Sequence, residues 1–223
     1  MSSEEWIDLS HPFELGMPVP DWPNEIRQEF VLLEFRVKVN SGIQNLVIFN
    51  LHCGTHIDAP KHYCPTCPSI DQLDISTFIG EAYVADIPKK PLEKITREDL
   101  EKVIKYVKPG DMLFIRTGWE EKWPSKEYES MYPYFSPDVV DLIVNSGIKV
   151  LGIDTPGPDA PIRSGERKGD PLHIGILSRG IPIIENLTNL KKVLGKRIFV
   201  IAVPINIKNA TGAPVRVLAK IIR

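Results

Sequence analysis

The sequence has little of what would direct a chain to an oxidising compartment, a membrane or nucleic acid. Among its 223 residues are three cysteines, Cys53, Cys64 and Cys67. At least one thiol must stay unpaired, which fits a reducing cytoplasm better than a disulfide framework. No apolar run reaches the ~18 residues of a membrane span. The longest candidate, Ile198 to Ile205, is broken by Pro204 and reads as a buried strand. The opening Met-Ser-Ser-Glu-Glu-Trp has neither a basic n-region nor an apolar h-region, so no signal peptide is expected. Neither sign of charge dominates: 27 Lys and Arg stand against 29 Asp and Glu, for a net charge of -2. The two signs are interspersed, whereas a nucleic-acid binder carries a basic stripe, so nucleic acid is excluded as a partner. A G-x-S-x-G elbow and a glycine-rich phosphate loop are absent too, which removes the serine hydrolases and phosphate binders that depend on them.

What remains is a composition of 43% hydrophobic and 25% charged residues, that of an ordinary globular protein. A single domain over residues 1–223 is expected. Proline is abundant at 20 residues, with 15 glycines. Together they fall short of the disordered range, so the prolines punctuate an ordered, loop-rich fold. Phe30 to Val39 and Asn45 to Leu51 read as a hairpin turning at Asn40-Ser41-Gly42. Tyr83 to Ile87 reads as a strand. Thr96 caps a helix running to about Val107, with acids in its first turn and Pro109-Gly110 beyond its end. Met112 to Arg116 and Lys149 to Ile153 read as strands around a helix that opens at Ser136-Pro137 and stops at Gly147. The last third gives helices near Leu172 to Arg179 and Leu187 to Leu194. Its strands are Ile181 to Ile184, Ile198 to Val203 and Val215 to Ile222. This alternation predicts an α/β fold with a mixed sheet and flanking helices.

Histidine is scarce, yet three of the five fall within eleven residues, in His52-Cys53-Gly54-Thr55-His56-Ile57-Asp58-Ala59-Pro60-Lys61-His62. A helix would put Asp58 about 200° round from His56, and Pro60 lacks the amide that a helix interior needs. Cys53 also stands where a helical zinc-protease motif has Glu. In an extended chain His52, His56 and Asp58 share a face, but the two imidazoles lie about 13 Å apart at 3.3 Å per residue. One metal cannot hold both unless the chain bends between them. Gly54 permits that bend, and the Thr55 hydroxyl is expected to fix it through a local backbone hydrogen bond. Two imidazoles and a carboxylate suit zinc, manganese or iron. A histidine at a strand end can also do no more than hydrogen-bond a carbonyl, but two with an aspartate around a glycine favour a ligand cluster.

These residues fill a pattern, H-x-G-T-H-x-D-x-P-x-H, that is similar to the signature of the metal-dependent cyclase and kynurenine formamidase family, which includes the isatin hydrolases. The resemblance continues through Ile7-Asp8-Leu9-Ser10-His11, Ser69-Ile70-Asp71, Gly152-Ile153-Asp154-Thr155-Pro156, His173, Ile184-Glu185-Asn186-Leu187 and Gly212-Ala213-Pro214-Val215-Arg216, in order along most of the chain. It implies a barrel-like core of the swivelling β/β/α type and a site for two divalent metals, zinc first and manganese as the alternative. His52, His56 and Asp58 would hold one metal, and His173 and Glu185 the second with Asp58. His62 would be the catalytic proton donor and acceptor, and Trp22 in the N-terminal loop would meet the substrate.

On the residues alone, Glu185 after the apolar Ile181 to Ile184 is costly to bury without a cation. His173 on an apolar helix would otherwise read as an ordinary core histidine. Pro60 is expected to force an extended spacer that carries His62 off the ligand face. The implied activity is hydrolysis of an amide C–N bond, in an N-formylkynurenine-like aryl formamide or a cyclic amide, with metal-activated hydroxide as nucleophile. Tryptophan catabolism is the implied setting and a small molecule the partner. The implied assembly is a homodimer or homotetramer, for which a Pro-rich arm with Trp6 and Trp22 is suited. Gly157 departs from the pattern, since many members have Ser after Thr-Pro. Cys64-Pro65-Thr66-Cys67 is a C-x-x-C, the spacing of a redox pair or of half a zinc ribbon. No second pair completes a ribbon, and Pro65 and Pro68 suggest a loop where a redox pair wants a helix N-terminus, so it reads as a loop decoration, an incidental thiol pair. The rival from another class is a noncatalytic metal or small-ligand binding protein on the same scaffold.

Overall fold

The computed structural model describes residues 5–20, 30–36 and 42–222. In chain order the strands are β1 (Ile7–Asp8), β2 (Val31–Arg36), β3 (Ile43–Ile48), β4 (His56–Asp58), β5 (Ile79–Asp86), β6 (Lys94–Ile95), β7 (Met112–Arg116), β8 (Tyr134–Phe135), β9 (Val150–Ile153), β10 (Ile183–Glu185), β11 (Arg197–Ile201), β12 (Gly212–Pro214) and β13 (Leu218–Ile221). The helices are α1 (Arg97–Ile104), α2 (Val140–Asn145) and α3 (Pro171–Leu177).

Nine strands form one mixed sheet in the order β1-β13-β11-β5-β7-β9-β10-β4-β12. The neighbours from β5 to β10 run parallel and the outer pairs antiparallel. The sheet curls into a half-barrel, the mixed α/β architecture expected. Its centre follows from sequence: Met112–Arg116 and Val150–Ile153 are buried throughout, as parallel strands covered on both faces must be. Successive residues then serve opposite cores. Val84, Phe114 and Val150 face one apolar cluster with Leu9, Ile57 and Ile184, while Ala85, Leu113 and Leu151 face another with Leu100, Ile143 and Ile176 from the three helices.

Most predicted elements recur with shifted ends. The α1 capping box forms as expected: the Thr96 amide donates to Asp99 Oδ2 (2.8 Å) and the Asp99 amide to Thr96 Oγ1 (3.3 Å). The α-helix ends at Ile104 rather than Val107, because its last bonds tighten to i→i-3 spacing. Strand β5 begins four residues before Tyr83. Gly80 and Glu81 are poor strand formers, but Arg197 of the neighbouring β11, opposite Tyr83, binds both Glu81 (2.6 Å) and Asp111 (2.8 Å), so an ion pair holds what propensity does not. The helix at Leu187 to Leu194 is a single 3-10 turn, Leu190–Val193. The strand expected at Val215 to Ile222 is confined to Leu218–Ile221, since Val217 turns its backbone to Leu9 and Ser10. The hairpin is present, with Val31 opposite Ile48 and Leu33 opposite Leu46, but its turn lies outside the described residues.

Candidate metal centre

After β3 the chain passes through Leu51 to Thr55 and returns to the sheet as β4. The fold back occurs at Gly54, with φ +60°, where a Cβ would lie 2.8 Å from Met17 Cε and 3.0 Å from the Phe13 ring. Only glycine fits both the backbone angle and the close packing. The bend brings the His52 and His56 ring centroids to 5.4 Å, against the roughly 13 Å of an extended chain. Thr55 works differently from expectation. Its hydroxyl donates to Asn186 O (2.7 Å) and accepts from the His11 amide (2.8 Å), so it ties the bend to distant strands rather than closing a local turn.

Strand β4 pairs antiparallel with β10 and β12, with Glu185 opposite His56, and Gly212 opposite Asp58. Directly opposed residues share a face, and so do residues two apart, so register alone puts His56, Asp58 and Glu185 on one side of the sheet. Gly212 leaves room there for the His52 ring, whose Cε1 would be 2.8 Å from any Cβ at that position. His52 Nδ1 lies 2.6 Å from Asp58 Oδ1. His56 donates from Nδ1 to Gly54 O (2.9 Å), which aims Nε2 at Asp58 Oδ1 and Glu185 Oε2, each 3.3 Å away. His173 comes from α3, its Nε2 3.1 Å from Glu185 Oε1 and 3.5 Å from Asp58 Oδ2.

Two triads result, His52-His56-Asp58 and Asp58-His173-Glu185, each with ligand atoms within 4.8 Å of one another and with Asp58 common to both. His62 belongs to neither. Pro60 starts a 3-10 turn, Pro60–His62, rather than the extended spacer expected. A tight turn carries the His62 ring onto the face of His52, 3.9 Å between centroids. All six side chains line one cavity of about 390 Å³, which also meets Pro20, Tyr63, Tyr132 and Gly157. Trp22 lies outside the described residues. A Cβ at Gly157 would stand 3.5 Å from Glu185 Oε1 and 3.6 Å from His173 Cε1, so a side chain there would make ordinary contact with the cluster, and glycine leaves that volume to the cavity.

The electrostatics favour a cation. Burial opposes charge on His56, yet Asp58 and Glu185 outweigh it and lift the imidazole to about 10. His173 is likewise raised well above the ordinary range despite burial, chiefly by Asp159, then Asp58 and Glu185. Asp58, whose burial disfavours ionisation, is held well below the usual carboxylate range by His52, His173 and His56. His62 goes the other way: burial pushes it down to about 4. The centre thus draws protons onto imidazoles that burial would keep neutral, and His56 Nε2 is buried without a hydrogen-bond partner. Two carboxylates and three imidazoles around such an atom fit a divalent cation.

Asp159, Tyr63 and Tyr132 escaped the sequence reading. Asp159 bonds His173 Nδ1 at 2.6 Å, and the Tyr63 ring stacks on His173 at 4.8 Å. Asp159 follows Gly152-Ile153-Asp154-Thr155-Pro156 by three residues, which was its only signal. Cys64 and Cys67, expected as free thiols, are joined as a disulfide, which weakens the cytoplasmic argument drawn from scarce cysteine. Cys53 is free and buried.

A comparison with known families matches residues 7–160 to the Cyclase family model. The chain belongs to this family. Among its relatives is the kynurenine formamidase of Bacillus mycoides (strain KBAB4), 30% identical over 222 residues that cover 99% of both chains. The kynurenine formamidase of Bacillus thuringiensis (strain Al Hakam) is 28% identical, again over 99% of both. Among solved structures, an isatin hydrolase bound to the product analogue thioisatinate superposes with a TM-score of 0.89 at 23% identity, covering 100% of this chain and 94% of that one. Isatin hydrolase A from Ralstonia solanacearum gives 0.87 at 21% identity, over 98% and 92%. At these identities the structures show the shared fold. Family membership rests on the sequence.

Proposed function

We propose that the chain is a metal-dependent amidohydrolase acting on a non-peptide C–N bond, in an aryl formamide or a cyclic amide. The observation that carries the proposal is the pair of triads sharing Asp58, with His62 beside them in the same cavity and in neither. The relatives named as kynurenine formamidases, alike over 99% of both chains, favour catalysis over the noncatalytic alternative.

In this reading His52, His56 and Asp58 hold one divalent cation, and Asp58, His173 and Glu185 a second, with zinc first and manganese as the alternative. Such cations, when bound, polarise a carbonyl oxygen and lower the pKa of coordinated water from about 15.7 toward 7. His62 takes a proton at its ring nitrogen and returns it to the leaving nitrogen. Burial keeps the ring neutral at neutral pH, so one ring nitrogen carries a free lone pair. Tyr63 and Tyr132 give the cavity aromatic walls suited to an aryl amine.

The proposed assembly is a homodimer or homotetramer. The β2–β3 hairpin stands apart from the nine-stranded sheet and exposes Leu33, Leu46 and Ile48 on one face and Leu32 and Val47 on the other. A lone two-stranded hairpin is marginal in water. Each of these side chains is about half exposed, and covering it would contribute roughly 1 kcal/mol. A second copy of the chain would supply that cover. Among the described residues no helix is long and apolar enough to cross a membrane.

The test is hydrolysis of N-formylkynurenine, isatin and simple aryl formamides by protein loaded with zinc or with manganese. Turnover of at least one is expected; fully loaded protein that cleaves none would refute the assignment.

A further inference from the structure

Helix α3 begins at Pro171 and delivers His173 to the centre, yet Asp170 immediately before it makes no side-chain cap. Instead Asp170 pairs with Arg167. The amides at the start of α3 are satisfied from elsewhere. Asp159 Oδ1 accepts from the Leu172 amide (2.9 Å), and Oδ2 accepts from both the His173 amide (3.1 Å) and His173 Nδ1 (2.6 Å). The carboxylate is 2% exposed, and its two oxygens are taken up by these three contacts.

The imidazole it holds is contested. Asp159 lies on the Nδ1 edge, while Glu185 and Asp58 lie on the Nε2 edge, so carboxylates compete for ring protons from both sides. A carboxylate only accepts, so the bond to Asp159 fixes a proton on Nδ1. With the proton held on Nδ1, Nε2 would be the nitrogen free to offer its lone pair to a cation on the Asp58 and Glu185 side of the cavity. Without Asp159, Glu185 Oε1 (3.1 Å) and Asp58 Oδ2 (3.5 Å) remain as acceptors on the Nε2 edge, while Asp170, within 4.8 Å of the ring, is paired with Arg167. The neutral ring would then keep its proton there and block the ligand atom. The face of the ring is fixed separately, by the stacked Tyr63.

We propose that Asp159 is a positioning residue for the metal centre, which acts through His173 by pinning its Nδ1 proton and its orientation while capping the helix that carries it. The proposal deepens the hydrolase reading and rests on it. It also gives a role to the third grouping of possible ligand atoms, Asp159-Asp170-His173. With Nδ1 protonated and Asp159 bonded to two amides, that grouping is a helix cap and an orienting bond rather than a third cation site.

The test is a double-mutant cycle in cation affinity. Metal-stripped parent, Asp159→Asn, His173→Gln and the double variant are titrated with Mn²⁺ by calorimetry, and circular dichroism monitors the fold. Removing a residue that orients a ligand typically weakens affinity about 10–100-fold, and that loss is expected for Asp159→Asn. In the His173→Gln background the same substitution should change affinity by less than about twofold, because the group it acts through is gone. Asp159→Ala is the second variant, should the asparagine amide disturb the α3 cap. A folded Asp159→Asn or Asp159→Ala protein that binds Mn²⁺ as tightly as the parent overturns the proposal. So does an equal loss in both backgrounds, which is the mark of a purely structural residue. A parent that binds only Zn²⁺ is carried through the same cycle with that ion; one that binds neither Mn²⁺ nor Zn²⁺ removes the hydrolase reading and this proposal together, whereas an additive cycle on a metal-binding parent removes only this one.

Discussion

Replacement of His62 by alanine separates proton transfer from metal binding, because the ring lies in the cavity but in neither triad. General acid–base catalysis by a positioned side chain contributes about 10²–10⁴ in rate. His62→Ala should therefore lower kcat by that factor, a barrier increase of about 2.7–5.4 kcal/mol. The structural cost is small by comparison. His62 is only partly buried, and its main contact is the stack on His52, with a further edge contact to Tyr63. Such ring pairs contribute about 0.5–1.5 kcal/mol, which for a chain of this length lowers Tm by about 1–6 °C. Metal content should stay at the parent value, since no triad loses an atom. The assay is kcat on an accepted aryl formamide beside elemental analysis of the same preparation, with His62→Gln as a polar control. Metal lost together with the ring would make His62 a ligand. A kcat within about threefold of the parent would remove it from the chemistry.

Three further outcomes are expected. Burial holds His11 at about 4, against roughly 6.5 in an unfolded chain, with the ring stacked on Trp123. Between those values the unfolded chain binds a proton that the folded chain refuses, so stability rises with pH and is lost as pH falls from 6.5 toward 4. His11→Phe keeps the stack and should remove about 2 kcal/mol of the loss between pH 6.5 and 5, read from urea unfolding; an unchanged acid slope would contradict this. If the proposed homo-oligomer forms through the hairpin, lysines at the opposed pair Leu33 and Leu46 should lower the mass read by light scattering, and an unchanged mass would remove the hairpin as the interface. Gly157→Ser meets only ordinary contacts and should fold with stability within about 1 kcal/mol of the parent. It should raise KM for the bulkiest accepted amide about three- to tenfold, or roughly 0.7–1.4 kcal/mol; equal KM values across the substrates would show that the open space is unused.

The sequence carried the site better than the fold around it. His52, His56 and Asp58 were legible because glycine, alternation and proline constrain an eleven-residue segment tightly. Their convergence with Glu185 was legible only through resemblance, since it depends on β4 pairing between β10 and β12, a long-range register with no local mark. Strand β4 itself is three residues long and has no periodicity to read. Asp154, prominent in its motif, turns away from the centre and accepts from the Thr117 amide and hydroxyl and the Gly118 amide, burial pushing it up to about 6. Asp159, unmarked, is the residue that touches His173. Which of two nearby aspartates faces the metal centre is set by how the loop after β9 folds, and that lies beyond spacing rules.

The most direct test is chelator-stripped protein, shown to be folded by circular dichroism, assayed for cleavage of an aryl formamide as Zn²⁺ or Mn²⁺ is added back. Activity should be absent at first and rise in proportion to bound cation, reaching a plateau at up to two per chain, and Asp58→Asn should prevent both the uptake and the activity. Stripped protein that cleaves the amide as fast as loaded protein, or uptake that survives in Asp58→Asn, would contradict a metal-dependent centre built on Asp58.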